Sequence, residues 1–416
     1  MRGGRLGVVG GSIAGCAMAL AAVRAGAQEA VVFERTAGRL ADRGVGLGIA
    51  AERYGELAAA GFLGPGVPYL QVRRQRWVGA GDGGTADGFG RDIGVLPSSF
   101  RLHNWGSLWE GLRGRLPASV AYRSASPVVS VTDDEAGGGP VVELAGGHRE
   151  RFDVVVGADG YRSAVRAMMF PGVRPVYAGY VLLRGTFPAG LLTGLLPRAA
   201  DWDPADILFV GTPFGHGVAY RIPGGDGDLV NWGHYMRPPA DIPGLDFEDP
   251  TSIPPGKASD ELIAHLTGLL GAHAAPHWTQ MLRLTPRERK LVQPIYDLEV
   301  PRVSAGRLLL AGDAASIARP HTGAGAVKAM QDATAFEAAV QASDTWDEAL
   351  RRYEADRAPV GRAMVGLGRR LGEAMVLAVP DWPSMGPEDL TAWWQELTAR
   401  QPYGGAPLND RDKHPR

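Results

Sequence analysis

The 416-residue sequence predicts an α/β fold: a parallel sheet opened by a βαβ unit, interrupted by a β-rich insertion and followed by a helical C-terminal segment. Three observations predict it. An apolar run, Leu6–Val9, turns through GGSIAG (Gly10–Gly15) into a small-residue helical pattern, Ile13–Val23. Strand-like runs then crowd residues 173–301, and helical periodicity takes over from Gly325 to about Val379.

In the opening unit Gly10 supplies a tight bend and Gly15 lets helix and strand pack closely. The free N–H groups at the helix start, around Ile13 and Ala14, are placed to hold a pyrophosphate. Ser12 stands where this pattern has its middle glycine, but its side chain is small and its hydroxyl adds a donor. The next strand, Ala30–Phe33, ends in Glu34, nineteen residues past Gly15, followed by Arg35. A carboxylate at that distance accepts hydrogen bonds from an adenosine ribose, which makes the turn a Rossmann-type dinucleotide site.

Residues 38–66 read as loop and helix, with a flexible patch at Arg43–Gly48. Tyr69–Val78 and Val120–Leu144 read as strands, Arg101–Leu116 as helix, and DDEAGGGP (Asp133–Pro140) as a hairpin loop. Phe152–Val156 is a buried strand leading into GADGYRS (Gly157–Ser163). Strands follow at Tyr177–Phe187, Ile207–Thr212, Gly217–Ile222 and Leu229–Met236, then a helix near Ser259–Leu270. Arg307–Leu310 returns to a buried strand before AGDAASIARPHTGAG (Ala311–Gly325). The last helical stretch is expected to break near Pro359, and GLGRRLG (Gly366–Gly372), with no strand before it, reads as helix packing. These elements divide the chain into a nucleotide-binding domain (1–68, 98–172 and 302–340), a β-rich domain (69–97 and 173–301), C-terminal helices (341–400) and a loosely held tail (401–416).

With 43 basic and 45 acidic residues, the chain has no electrostatic footprint for nucleic acid or an anionic membrane. Its apolar N-terminus is too short for a membrane span and runs at once into the nucleotide turn, so a cytoplasmic protein is expected. The only cysteine, Cys16, can form no intramolecular disulfide, and no metal-ligand spacing is present.

VVVGADGYRSAVR (Val154–Arg166) and GRLLLAGDAA (Gly306–Ala315), in this order around the insertion, resemble the DG and GD motifs of the group A flavoprotein monooxygenases, which have the para-hydroxybenzoate hydroxylase fold. The resemblance runs from Leu6 to about Arg357. It implies FAD as cofactor, with Asp159 and Gly160 at its pyrophosphate and Arg162 and Arg166 nearby. Gly312 and Asp313 fall on the ribityl chain, and Pro320, Gly323, Ala324, Gly325 and Ala326 against the flavin ring at a helix N-terminus. Arg101 and Arg43 match positions that hold or cover the flavin in relatives. RPHTGAGAVKAMQDA (Arg319–Ala333) departs from the commoner pattern: Ser316 stands where many members have His, and Ala324 where many have Gln. This version looks like the branch around 2,6-dihydroxypyridine 3-hydroxylase, as do NWGSLWEGLR, GYVLLRG and LVNWGHYMRP.

The implied activity is hydroxylation of an electron-rich aromatic or hydroxypyridine or pyridone ring with O2, through a flavin C4a-hydroperoxide. NADH or NADPH is expected as a transient reductant, since only one dinucleotide turn is present. A base for the ring hydroxyl is expected among His216, Tyr220, His234, Tyr235 and His321, with His234 and His321 first, and Arg184 is expected to face the flavin or an anionic substrate. A flavin epoxidase or Baeyer–Villiger-type oxygenase shares every motif and stays open, as does a homo-oligomer. A non-oxygenating flavin reductase or FAD-binding protein on the same scaffold is a more distant alternative, and a halogenase is disfavoured because its WxWxIP signature is missing, Trp202 and Trp232 standing singly.

Overall fold

The computed structural model describes residues 3–43, 45–79, 88–133, 138–194, 202–238, 247, 253, 258–399 and 403–407. One sheet has six strands in the order Ser304–Ala305, Leu308–Leu310, Val154–Gly157, Arg5–Val9, Glu29–Phe33 and Val120–Arg123. All neighbours are parallel except the first pair. Its central strands are Val- and Leu-rich runs without alternation, because both faces are covered. Helices α1 (Ile13–Arg24) and α7 (Gly325–Gln341) pack against each other beside it, and the Ala and Gly residues of α1 permit that approach.

The second sheet has nine strands: Ser316–Ile317, Leu291–Glu299, Val176–Pro188, Leu229–Met236, Gly215–Ile222, Asp206–Thr212, Leu70–Gly79, Arg91–Asn104 and Gly46–Ala50. Its neighbours are antiparallel except Asp206–Thr212 with Leu70–Gly79. One face buries Leu208, Val210 and Trp232 against α5 (Asp260–His273) and α6 (Pro276–Leu284). The other packs partly on α8 (Trp346–Gly372) and α9 (Pro387–Thr398), where Trp77, Phe209, Trp382, Trp393 and Trp394 form an aromatic cluster. Helices α2 (Ala51–Ala59), α3 (Trp105–Arg113) and α4 (Ala164–Met169), and a three-stranded sheet of Val128–Thr132, Val141–Leu144 and Arg149–Arg151, complete the described elements.

Several expectations are corrected. Residues 46–50 are a strand, and Arg101 lies on a strand, with helix starting only at Trp105. Gly46–Ala50 pairs with Phe100–Asn104 inside the large sheet, so parts of 1–68 and 98–172 belong to the same sheet as the insertion. Pro359 does not break its helix: α8 runs from Trp346 to Gly372, held along one side by buried Tyr353, Arg357, Gly361, Met364 and Val365. Tertiary packing thereby outweighs one lost backbone bond. The Gly366–Gly372 run lies in that helix, and a Cβ on Gly368 would stand 2.8 Å from the Arg319 nitrogen. The tail is not loose at Tyr403–Ala406, where it packs against α7. The hairpin loop expected at Asp133–Pro140 falls partly outside the described residues.

Candidate active site

Three loops leave the carboxyl ends of neighbouring parallel strands, Arg5–Val9, Val154–Gly157 and Leu308–Leu310, and converge on one cleft. Gly10 has φ 102°, and a Cβ there would stand 2.4 Å from the Ala158 oxygen. A Cβ on Gly15 would stand 1.8 Å from the Gly10 oxygen, so the turn tolerates no side chain at either position. The Glu34 carboxylate accepts from the Gly11 N–H at 2.9 Å and the Thr36 N–H at 2.8 Å, which fixes it beside the turn. The Gly11 carbonyl in turn accepts from Trp109 Nε1 at 2.8 Å and the Tyr122 hydroxyl at 3.0 Å. Arg35 is exposed and does not line the cleft.

The cleft is a cavity of about 360 Å3. Its lining includes Ser12, Ile13 and Ala14, Gly160, Gly312 and Asp313, and Pro320 and Gly323–Ala326. Two helices begin on it, α1 and α7. Neither has a side-chain cap or an acidic residue in its first turn. By contrast α3, α4, α5 and α8 are capped by Asn104, Ser163, Ser259 and Thr345. The uncapped N–H groups and positive dipole ends of both helices therefore border the same cavity, an arrangement that suits a ligand with an anionic pyrophosphate and an electron-accepting ring. The lining fits FAD.

Gly160 has φ 78° and nothing within 4 Å of where its Cβ would stand, so bare backbone is presented to the cleft. Asp159 turns away from it. Its carboxylate accepts from the Ser163 hydroxyl and from the N–H groups of Ala164 (2.7 Å) and Val165 (3.3 Å), capping α4. Burial pushes this carboxyl up, and those hydrogen bonds oppose the shift. Of the expected pair, only Gly160 is in the lining; Asp159 shapes the loop. Arg166 ties this motif to the next one by donating to the Ala314 oxygen at 3.2 Å, while Arg162 donates to the Tyr161 hydroxyl at 2.8 Å.

Asp313 faces the cleft with protein on its other sides. That enclosure raises its carboxyl, with Lys328 and Arg166 opposing and Asp332 reinforcing. Its turn is anchored from behind by residues that the sequence did not single out. The Gly312 N–H donates to Asp332 Oδ2 at 2.8 Å, Lys328 Nζ donates to the Gly312 oxygen at 3.0 Å and to Asp332 Oδ2 at 2.9 Å, and Arg357 Nε donates to Asp332 Oδ1 at 2.7 Å. The only sequence trace of this network is the i,i+4 pair Lys328 and Asp332 on a helix whose neighbouring residues there, Gln331 apart, are apolar.

A second cavity, of about 110 Å3, lies beyond Pro320 and Gly323 and shares Gly48, Val218, Tyr220 and Tyr235 with the first. Strand register decides which histidines reach it. His216 stands opposite Tyr235 and Gly217 opposite His234, so His216 and Tyr235 share one face while His234 takes the other. His216, Tyr235 and His321 meet there, with ring centroids 4.1 Å apart for Tyr235 and His321 and 5.1 Å for His216 and His321. His321 Nε2 is hydrogen-bonded to the Tyr180 hydroxyl at 2.8 Å; His321 Nδ1 and both nitrogens of His216 have no partner among the described residues. Burial pushes His216 down to about 3 and His321 well below 6.5, so both imidazoles are neutral.

His234 is corrected as a base for that cavity. It faces α5 and α6, bonded through Nε2 to the Thr212 hydroxyl at 3.2 Å and packed near Phe214. Arg184 lines the cleft and pairs with no carboxylate among the described residues. Arg101 does not line it: its guanidinium lies 4.2 Å from the Tyr54 ring centroid and 4.5 Å from that of Tyr69. Arg43 ends the short turn Leu40–Arg43, and its side chain lies outside the described residues. Burial, with Glu34 adding, pushes the Cys16 thiol up to about 12, leaving it an inert packing group. No helix among the described residues is long and apolar enough to cross a membrane.

Five buried histidines are held neutral: His216 near 3, His103 and His277 near 4, and His234 and His321 well below 6.5. In the unfolded chain they protonate near 6.5, so their contribution is complete above that pH and is lost as pH falls from there toward the folded values. Urea unfolding is expected to show a midpoint that drops between pH 6.5 and 5, each such histidine contributing up to about 1.4 kcal/mol per pH unit. A flat midpoint across that range contradicts the neutral assignment.

Residues 274–367 match the family model described as an FAD binding domain. The chain is 26% identical over 396 residues to 2,6-dihydroxypyridine 3-monooxygenase of Paenarthrobacter nicotinovorans, covering 89% of this chain and 91% of that protein. It is 30% identical over 389 residues to 3-amino-4-hydroxybenzoate 2-monooxygenase of Streptomyces cremeus, covering 91% and 89%. The solved structure of 2,6-dihydroxypyridine-3-hydroxylase from Arthrobacter nicotinovorans superposes with a TM-score of 0.78 at 24% identity, over 92% of this chain and 96% of that one. Glycine turn, uncapped helix pair and adjoining smaller cavity thus sit in a chain that belongs to the FAD-dependent aromatic monooxygenases.

Proposed function

We propose that this monooxygenase hydroxylates a single electron-rich ring carrying an acidic hydroxyl, a phenol, hydroxypyridine or pyridone, held in the smaller cavity. The observation that carries this reading is a pair of neutral imidazoles, His216 and His321, beside Tyr235 in a cavity of about 110 Å3, with three ring nitrogens that have no partner among the described residues. A cavity of roughly 150 Å3 accommodates benzene, so this one, at about 110 Å3 and continuous with the cleft through the residues the two share, leaves no room for a polycycle beyond a single ring. Bound FAD supplies the oxygen chemistry, with NADH or NADPH as electron source.

The chain's own groups do the rest. The start of α1 would hold the pyrophosphate of FAD, Glu34 its adenosine ribose, Asp313 its ribityl hydroxyls, and the start of α7 would stabilise negative charge on the reduced flavin ring. In the tautomer protonated at Nε2, His321 donates to the Tyr180 hydroxyl oxygen and its Nδ1 lone pair takes the proton of the ring hydroxyl; the ring, made anionic, is a better nucleophile. Arg184, unpaired in the cleft, offers its charge to the flavin or to an anionic ring. The named substrates of the two relatives, a dihydroxypyridine and an aminohydroxybenzoate, are single hydroxylated rings and support this choice. A cytoplasmic location fits the dependence on a nicotinamide reductant.

The test is anaerobic flavin reduction by NADH and NADPH in the holoenzyme, with and without a panel of phenols, hydroxypyridines and pyridones. Acceleration by one single-ring class is expected; reduction indifferent to every ring overturns the proposal. Asp313→Ala is expected to weaken FAD binding roughly tenfold to a hundredfold, measured by titrating apoprotein, since a charge-assisted acceptor is lost. Full flavin occupancy in that variant at micromolar concentration contradicts its role.

A further inference from the structure

The segment expected to be loose is bound at the site. Gly404 donates its N–H to the Thr322 oxygen at 3.1 Å, and Gln331 Nε2 donates to the Ala406 oxygen at 2.7 Å. The segment therefore bridges the loop before α7 and α7 itself. Gly404 and Gly405 have φ 84° and 107°, and a Cβ on Gly404 would stand 2.8 Å from the Phe100 ring. Only bare backbone lies this close. Tyr403 wedges its ring near Phe100 and Trp394, at centroid distances of 5.5 and 5.1 Å.

The Tyr403 hydroxyl reaches to 3.8 Å from where a Cβ on Gly323 would stand, and Tyr403 lines the same cavity as His216, Tyr220, Tyr235 and His321. Gly323 is itself left-handed, φ 62°, and belongs to the loop laid along the flavin end of the cleft. No hydrogen bond of the Tyr403 hydroxyl is formed with the described residues. Burial, reinforced by Tyr220, raises the phenol above its ordinary value, so it stays protonated and can donate. A neutral donor next to two neutral imidazoles is a third polar contact for a ring bearing more than one oxygen or nitrogen substituent.

We propose that Tyr403 is a substrate-binding residue and that Tyr403–Ala406 is a strap completing the ring cavity and bracing the Gly323–Ala326 loop against the flavin. The Tyr403 contact rests on the reading of the smaller cavity as the ring site; the bracing does not.

The experiment compares four holoenzymes: wild type, Tyr403→Phe, Gly404→Val, and a chain ending at residue 400. Two quantities are measured, the FAD dissociation constant and the dissociation constant of 2,6-dihydroxypyridine or another single ring from the panel, read by perturbation of the flavin absorbance. Tyr403→Phe is expected to weaken ring binding about tenfold, one buried hydrogen bond, without moving FAD affinity. Gly404→Val and the shortened chain are expected to weaken FAD about tenfold as well. Ring affinity unchanged in Tyr403→Phe overturns the contact, and FAD affinity unchanged in both strap variants overturns the brace. If wild type binds no ring at all, the single-ring reading and the contact fail together, while the FAD comparison still decides the brace. Gly404→Val keeps the test valid should the shortened chain not fold.

Discussion

Asp332→Ala is expected to lower the unfolding free energy by about 3–5 kcal/mol and to empty the protein of FAD. Asp332 is almost wholly buried and receives Lys328, Arg357 and the Gly312 N–H together. Burial pushes its carboxyl up, but the two cations and the backbone donor outweigh that and hold it below the ordinary value. Removing it strands two buried charges and one N–H, the costly way to break such a network. Because Gly312 precedes Asp313, the same change frees the turn that presents Asp313 to the cleft. Asp332→Asn keeps an acceptor for Gly312 and should fall between. Urea unfolding and FAD titration check this; a wild-type midpoint with full flavin in Asp332→Ala sinks it.

His321→Ala is expected to reduce kcat by roughly 10²- to 10⁴-fold near neutral pH, the range for losing a positioned base. The pH profile separates this from simple disruption. In wild type His321 is neutral down to well below pH 6.5, so the acid limb it controls lies below that value. Without the base only ring already ionised in solution reacts, so the activity of the variant should climb with pH toward the ring's own pKa and respond to added imidazole. Tyr180→Phe, which leaves His321 in place but unoriented, should cost less, about tenfold. His234→Ala should leave the pH profile of wild type, because its ring is on the opposite face of the sheet. A wild-type profile in His321→Ala, or a climbing one in His234→Ala, removes His321 from the role.

The contrast between His216 and His234 shows how much of the site was legible. Both lie in stretches that sequence reasoning marked, yet on a strand successive side chains point to opposite faces, and the face that meets the cleft is set by pairing with a strand far away in sequence. Asp159 was misplaced for a related reason: an Asp–Gly turn before a short helix serves equally to contact a ligand or to cap the helix, and only the position of Ser163 and Ala164 decides. Arg101 was read against a helix start, but it sits on a strand between two tyrosines, one of them forty-seven residues earlier.

By itself the sequence determined the nucleotide-binding turn, the acidic residue that follows it and the order of the three glycine loops around a β-rich insertion; FAD and the monooxygenase family came from the resemblance those loops carry. These are local signals, in which turn glycines, strand period and spacing are enforced by backbone sterics within a few residues. Only the tertiary structure decided which imidazoles enter the ring cavity, how Asp332 braces the loop that carries Asp313, and that Tyr403 closes the wall. Each of these depends on register and burial between segments tens to hundreds of residues apart, and neither propensity nor spacing encodes which face of a strand, or which end of the chain, will meet there.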